Sequence, residues 1–153
     1  MSIQEDFNEI IKYAHFWNWS PDWQVVKEIY HLKPESYSVL TPFAYTYLEE
    51  MIRSTTTEYG LPPFDRNGQP NRFKLGKNLI ILAINENKSN QEYVNLLEKA
   101  KNYFTYTSNK ASENGRNNVM HGHIHPRFWN QDDFEELIHF IALLSKHSKF
   151  WEL

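Results

Sequence analysis

Across this chain apolar residues recur three and four positions apart, and they almost never alternate. That period lays one stripe along a helix, whereas alternation would mark a half-buried strand. Ile3 to His15 places Phe7, Ile10, Ile11 and Ala14 on such a stripe. "WNWS" interrupts it, and "SPDW" restarts a helix with Ser20 as its cap and Pro21 at the first helical position, where a missing N–H costs nothing. "TPFAYTYLEEMIRS" repeats the device: Thr41 caps, Pro42 starts, and Phe43, Tyr47, Leu48, Met51 and Ile52 form the buried stripe. "KNLIILAINEN" is nearly all apolar, and its helical neighbours favour a helix over a strand. Ser89 and Glu92 make a Ser-x-x-Glu capping box ahead of Tyr93, Leu96, Leu97, Ala100 and Phe104.

The last periodic stretch runs "NQDDFEELIHFIALLSKHSKFW". Asp132, Asp133, Glu135 and Glu136 stand at its start, with Lys146, His147 and Lys149 at its end, which suits the helix dipole. Phe134, Leu137, Ile138, Ile141 and Leu144 make its core face. The expectation is an all-α antiparallel bundle of four main helices with shorter additions. With 153 residues, 41 % of them hydrophobic, and no repeat or boundary signal, residues 1–153 read as one domain.

One stretch resists this pattern. Gly60 to Gly76 holds three prolines and three glycines among polar residues, so it reads as a long loop, either a functional excursion or one with turns of its own. Arg66, Arg72, Lys74 and Lys77 make it the most basic part of the chain and candidates for RNA contact, although loop charge is ordinarily just solvated. The formal net charge is −3, so the chain is not coated for nonspecific binding to nucleic acid; RNA would be held locally. No cysteine is present, which excludes disulfides and thiolate metal sites. No run approaches the length of a membrane span, and "MSIQEDFNEIIK" lacks the layout of a signal peptide. The expectation is a soluble cytoplasmic protein that does not meet the membrane.

The chemistry-bearing stretch is "ENGRNNVMHGHIHPRFW", Glu113 to Trp129. An imidazole titrating near neutral pH suits proton transfer, and a guanidinium can hold two phosphate oxygens as charge builds on them. On a helix Asn117 and His121 are four apart, so the amide can orient the ring, unless Asn117 merely caps. Arg116 and His121 lie about 140° apart on a regular helix and converge only if Arg116 sits at a frayed start. Arg116 and His123 align only if the helix survives Gly122. An Arg with four to six residues before a His is expected about 0.7 times by chance in a chain of this composition, and about 0.07 times once Asn must follow the Arg.

"RNNVMHG" resembles the signature of HEPN domains, the higher eukaryotes and prokaryotes nucleotide-binding family, whose nuclease members carry such an Arg-Asn and His. The resemblance implies a metal-independent endoribonuclease without a cofactor. Arg116 would stabilise the phosphate, His121 would move the proton, with His123 as the other spacing, and Asn117 would position the ring. It further implies a homodimer with both motifs facing one cleft. Such proteins serve as toxins or phage-defence effectors, so a nucleotidyltransferase-like antitoxin is an expected partner. Glu50 or Arg53, on an early helix, would support the histidine or the substrate; a solvent-face ion pair is the plainer reading. A noncatalytic HEPN-like module binding a nucleotide or partner is the alternative. A zinc site at His121, His123 and His125 is a third reading, which Gly122 and Pro126 disfavour because no strand aligns the three rings.

The aromatic cluster "HFWNWSPDW" brings Phe16, Trp17, Trp19 and Trp23 together, a set that more often fills a core or an interface than stacks bases. Tyr45 and Tyr47 are read as packing residues.

Overall fold

The computed structural model describes residues 1–104 and 130–151. Among them lie six α-helices: α1 (Ile3–Tyr13), α2 (Ser20–Leu32), α3 (Tyr37–Arg53), α4 (Gly76–Glu86), α5 (Gln91–Ala100) and α6 (Gln131–Ser145). Two short 3₁₀ turns, Pro34–Ser36 and Lys101–Phe104, join them. The described residues form an all-α bundle of helices of 10 to 17 residues, with the two 3₁₀ turns as shorter pieces. α1 packs on α2 and α6, α3 on α6 and α4, and α4 on α5.

The core is one contiguous cluster. Phe7 and Ile10 from α1 with its cap Ala14, Tyr47, Leu48, Met51 and Ile52 from α3, and Phe134, Leu137, Ile138, Ile141 and Leu144 from α6 are all buried. Burying each large side chain of this kind contributes about 1.5–3 kcal/mol. The stripe drawn from periodicity in each of these helices is therefore the stripe the fold buries. Ile11, Leu96 and Phe43 are only partly covered but pack against the cluster. Trp23 is fully buried, its ring meeting Phe43 and Tyr47 edge-on at 5.2 and 5.0 Å. Phe16 and Trp17 divide from it: both are exposed, and Phe16 stacks with His15 and Trp151 on the surface.

Three helix starts differ from the local signals. Thr41 and Pro42 do not open α3; they lie inside it, because the turn at Pro34–Ser36 leads the chain into helix from Tyr37. An interior proline removes one hydrogen bond and crowds the carbonyl four residues back, a cost of about 3 kcal/mol. Burial of Leu40, Ala44 and Tyr45 on both sides of it offsets that. Thr41 uses its hydroxyl to bond the Tyr37 carbonyl at 2.7 Å instead of capping. Ser20 is the first residue of α2 rather than its cap; Trp19 holds that place without a side-chain bond. On α5 the cap is Asn90, whose Oδ1 accepts from Tyr93 N at 3.2 Å, so the Ser89–Glu92 box does not form. A working box stands at Ser2 and Glu5, where each side chain bonds the other's backbone N–H.

Candidate functional site

Arg116, Asn117, His121, His123 and His125 lie outside the described residues. The remaining candidates lie within them, beside two polar features that the fold assembles.

The first feature is the loop between α3 and α4, which forms a tight hairpin rather than an irregular excursion. Asp65 organises the tip: its Oδ1 accepts from Asn67 N at 2.8 Å and from Gln69 N at 2.9 Å, and its own N–H reaches Gln69 O at 2.8 Å. Gly68 takes a φ of 75°, a conformation that favours a residue without Cβ, so the turn has its glycine where the backbone demands one. Phe64 and Pro70 face each other as an antiparallel pair, with Asn71 N bonding Pro63 O at 2.9 Å. Asn71 Nδ2 adds a bond to Pro62 O at 2.6 Å.

The base of the hairpin is fastened to α3. Arg53 donates from one terminal nitrogen to Glu50 at 2.8 Å and from the other to the Lys74 carbonyl at 2.9 Å, and its Nε lies 3.9 Å from Glu58. Glu58 accepts from Lys74 N through both oxygens, at 3.1 and 3.0 Å. One turn earlier Glu49, itself buried, accepts from Gly76 N at 2.8 Å, where the chain enters α4. The Arg53 side chain is only 13 % exposed. The expected pairing of Glu50 with Arg53 is thus present, but it is not a solvent-face ornament, because Arg53 is a clamp. Its terminal nitrogens are engaged, which leaves them poorly placed to meet a substrate phosphate.

Arg66, Arg72, Lys74 and Lys77 are all exposed on this hairpin and the helix start beside it, and among the described residues none of their side chains forms an ion pair. Only Lys74 is tied down, and that through its backbone. Residues 60–77 hold four cations against one carboxylate, a net +3; the whole chain carries −3, so the remainder carries −6. A groove of about 540 Å³ is lined by the clamp residues Glu50 and Arg53 together with Trp19, Thr46, Leu61 and Leu75.

The second feature has the opposite sign. Between α1 and α6 a groove of about 590 Å³ is lined by Asp6, Asp132, Glu135, Glu136, Tyr103 and His139 among others. Asp6 is buried and its Oδ1 sits 3.0 Å from His139 Nδ1, while the ring is about half exposed. A carboxylate so placed fixes the ring's orientation and leaves Nε2 free of it. Burial, reinforced by Glu136 and Asp133, pushes the Tyr103 phenol up to about 12, so it remains protonated at neutral pH. Such a rim repels a polyanion, so this groove is the wrong sign for a phosphodiester even though it holds a His–Asp pair.

Neither the pair nor the clamp was read from sequence. Asp6 and His139 are 133 positions apart and no spacing links them. The available signal was Asp6's place beside Phe7 and four before Ile10, a carboxylate on the buried stripe of α1. For a metal, no group of three His, Asp or Glu among the described residues is placed to hold one.

The chain matches no family model, no curated relative and no solved structure. No described helix is long and apolar enough to cross a membrane.

Proposed function

We propose that this protein is a metal-independent endoribonuclease of HEPN type. The observation that carries the reading is the Arg116-Asn117 and His121-Gly122 block in a chain whose described residues form an all-α bundle. In this chemistry the ribose 2′-oxygen attacks the adjacent phosphorus, the bond from phosphorus to the 5′-oxygen breaks, and a 2′,3′-cyclic phosphate remains. His121 carries the proton that leaves the 2′-OH or reaches the departing 5′-oxygen. Arg116 holds the phosphate oxygens as their charge grows. Asn117 orients the ring, and His123 is the alternative at the longer spacing. The reading includes two copies facing one cleft, a toxin or phage-defence role in the cytoplasm, and a nucleotidyltransferase-like antitoxin as partner. A zinc site at His121, His123 and His125 is its minor rival; zinc well below one per chain in untagged protein dismisses it.

Purified protein incubated with RNA in EDTA tests the proposal. Cleavage is expected, with cyclic phosphate ends, and Arg116→Ala and His121→Ala each abolish it while the far-ultraviolet spectrum stays unchanged. Full cleavage by both variants removes these residues from the mechanism. The net charge of −3 favours a second reading, a noncatalytic module that binds a nucleotide or partner without cutting. Tight binding of RNA with no cleavage in the same assay selects that reading.

A further inference from the structure

The hairpin joins three properties that loop charge alone does not have. It is preformed, since Asp65 closes the tip from within and Arg53 and Glu58 hold the base. It is basic outward, because the carboxylates around it face inward: Asp65 accepts from its own turn, Glu58 from Lys74 N, and Glu50 from Arg53. It also displays an aromatic ring, for Phe64 is 56 % exposed, whereas most large apolar side chains among the described residues are covered. Phe64 opposes Pro70, and Arg72 follows two residues later, so the ring and this cation belong to the same end of the arm.

We propose that this hairpin is a docking arm for single-stranded RNA. Phe64 stacks on an unpaired base, Arg72 and Arg66 take the flanking phosphates, and Lys74 and Lys77 extend the track toward α4. Stacking needs an open π-face, which a duplex interior does not offer, so the arm selects single strands. Charge complementarity points the same way, since the +3 arm stands on a remainder of net −6 and is the most basic stretch of the described residues. As the element that recruits a substrate, the arm rests on the ribonuclease reading; as a binding surface it is measured apart from cleavage.

The test uses a fluorescent 2′-O-methyl RNA 12-mer, which binds like RNA but has no free 2′-OH to attack phosphorus. Anisotropy titrations with the full chain are expected to show salt-dependent binding, with the same strand in a duplex bound at least fivefold more weakly. Arg66→Ala with Arg72→Ala weakens binding about tenfold and lowers the salt slope by about 1.4, the loss of two phosphate contacts on a single strand. Phe64→Ala weakens it about tenfold with the salt slope unchanged, Phe64→Trp restores it, and Phe64→Leu does not. These side chains are exposed, and circular dichroism checks that each variant keeps its helices. Absence of wild-type binding at low salt, equal affinity for the duplex, indifference to all these substitutions, or equal displacement by polyglutamate as a protein-like polyanion would each overturn the arm. Binding through the hairpin with unmodified RNA left intact keeps the arm and sinks the nuclease. Cleavage at an unaltered KM in the hairpin variants does the reverse.

Discussion

The hairpin between α3 and α4 and the groove between α1 and α6 are built on the same plan with opposite charge. Each has a charged side chain withdrawn from water at its root, Arg53 in the first and Asp6 in the second. Each has a rim of the root's own sign, the cations Arg66, Arg72 and Lys74 in one and the carboxylates Asp132, Glu135 and Glu136 in the other. The root charges are spent on internal partners: Arg53 on Glu50 and the Lys74 carbonyl, Asp6 on His139. What differs is the rim's availability. The difference teaches that a buried charge here fixes geometry, while the exposed charges decide which partner is attracted.

The strongest way to break that comparison is to remove a root. Arg53→Ala leaves Glu50, Glu58 and the Lys74 carbonyl without their cation, and a loss of about 3 kcal/mol in urea unfolding is expected. The hairpin then loosens before the bundle does, so trypsin should cut after Arg66 or Arg72 while the helices persist. A hairpin as resistant as in the parent would mean that Arg53 is not the clamp.

The corresponding change in the groove is smaller, because His139 is about half exposed and water can take its place. His139→Ala is expected to cost about 2 kcal/mol, from a buried carboxylate that has lost its partner. Adding Asp6→Ala should recover part of that loss, since the two act as a pair. Strict additivity in the double-mutant cycle would show that the 3.0 Å approach contributes nothing to stability.

A histidine in neither region supplies the control for pH. His147 stacks on Tyr93 at 4.8 Å, and burial lowers its pKa from the ordinary 6.5, against the raising effect of Glu92. The unfolded chain therefore binds the proton first as pH falls. Stability should decline as pH drops below about 6.5 and level off once the folded ring also protonates. His147→Gln should flatten that dependence; an unchanged slope would assign the decline to other groups. The smallest effect is expected at the rim itself, where Lys77→Ala should leave stability within about 0.5 kcal/mol.

Much of this architecture was written in the periodicity. The buried stripes of α1, α3 and α6 follow from apolar spacing, because tertiary burial rewards the same face that the pattern marks. The helical state of Gly76–Glu86, a nearly all-apolar run, was indicated by its helical neighbours instead. Local capping signals were less dependable. Thr41-Pro42 is a good start signal overridden by burial around it, and Ser89–Glu92 lost to Asn90, whose side chain reaches an N–H one residue on. The basic character of residues 60–77 was legible from composition. The clamp was not, since an Arg bonded to a carbonyl 21 residues away leaves no spacing to read. The pairing of Asp6 with His139 was hidden for the same reason, a contact between the two ends of the chain. The proposed catalytic set at Arg116, Asn117 and His121 rests on its motif.

Glu49 and Arg53 sit one turn apart on α3 and grip the returning limb of the hairpin, while the outgoing limb continues from the end of that same helix. Tension on the tip is therefore delivered to α3 along both limbs, and α3 lies against both α4 and α6. A polymer tugging there would load the middle of the molecule, not a dangling edge, so the appendage behaves as a handle on the bundle's central beam.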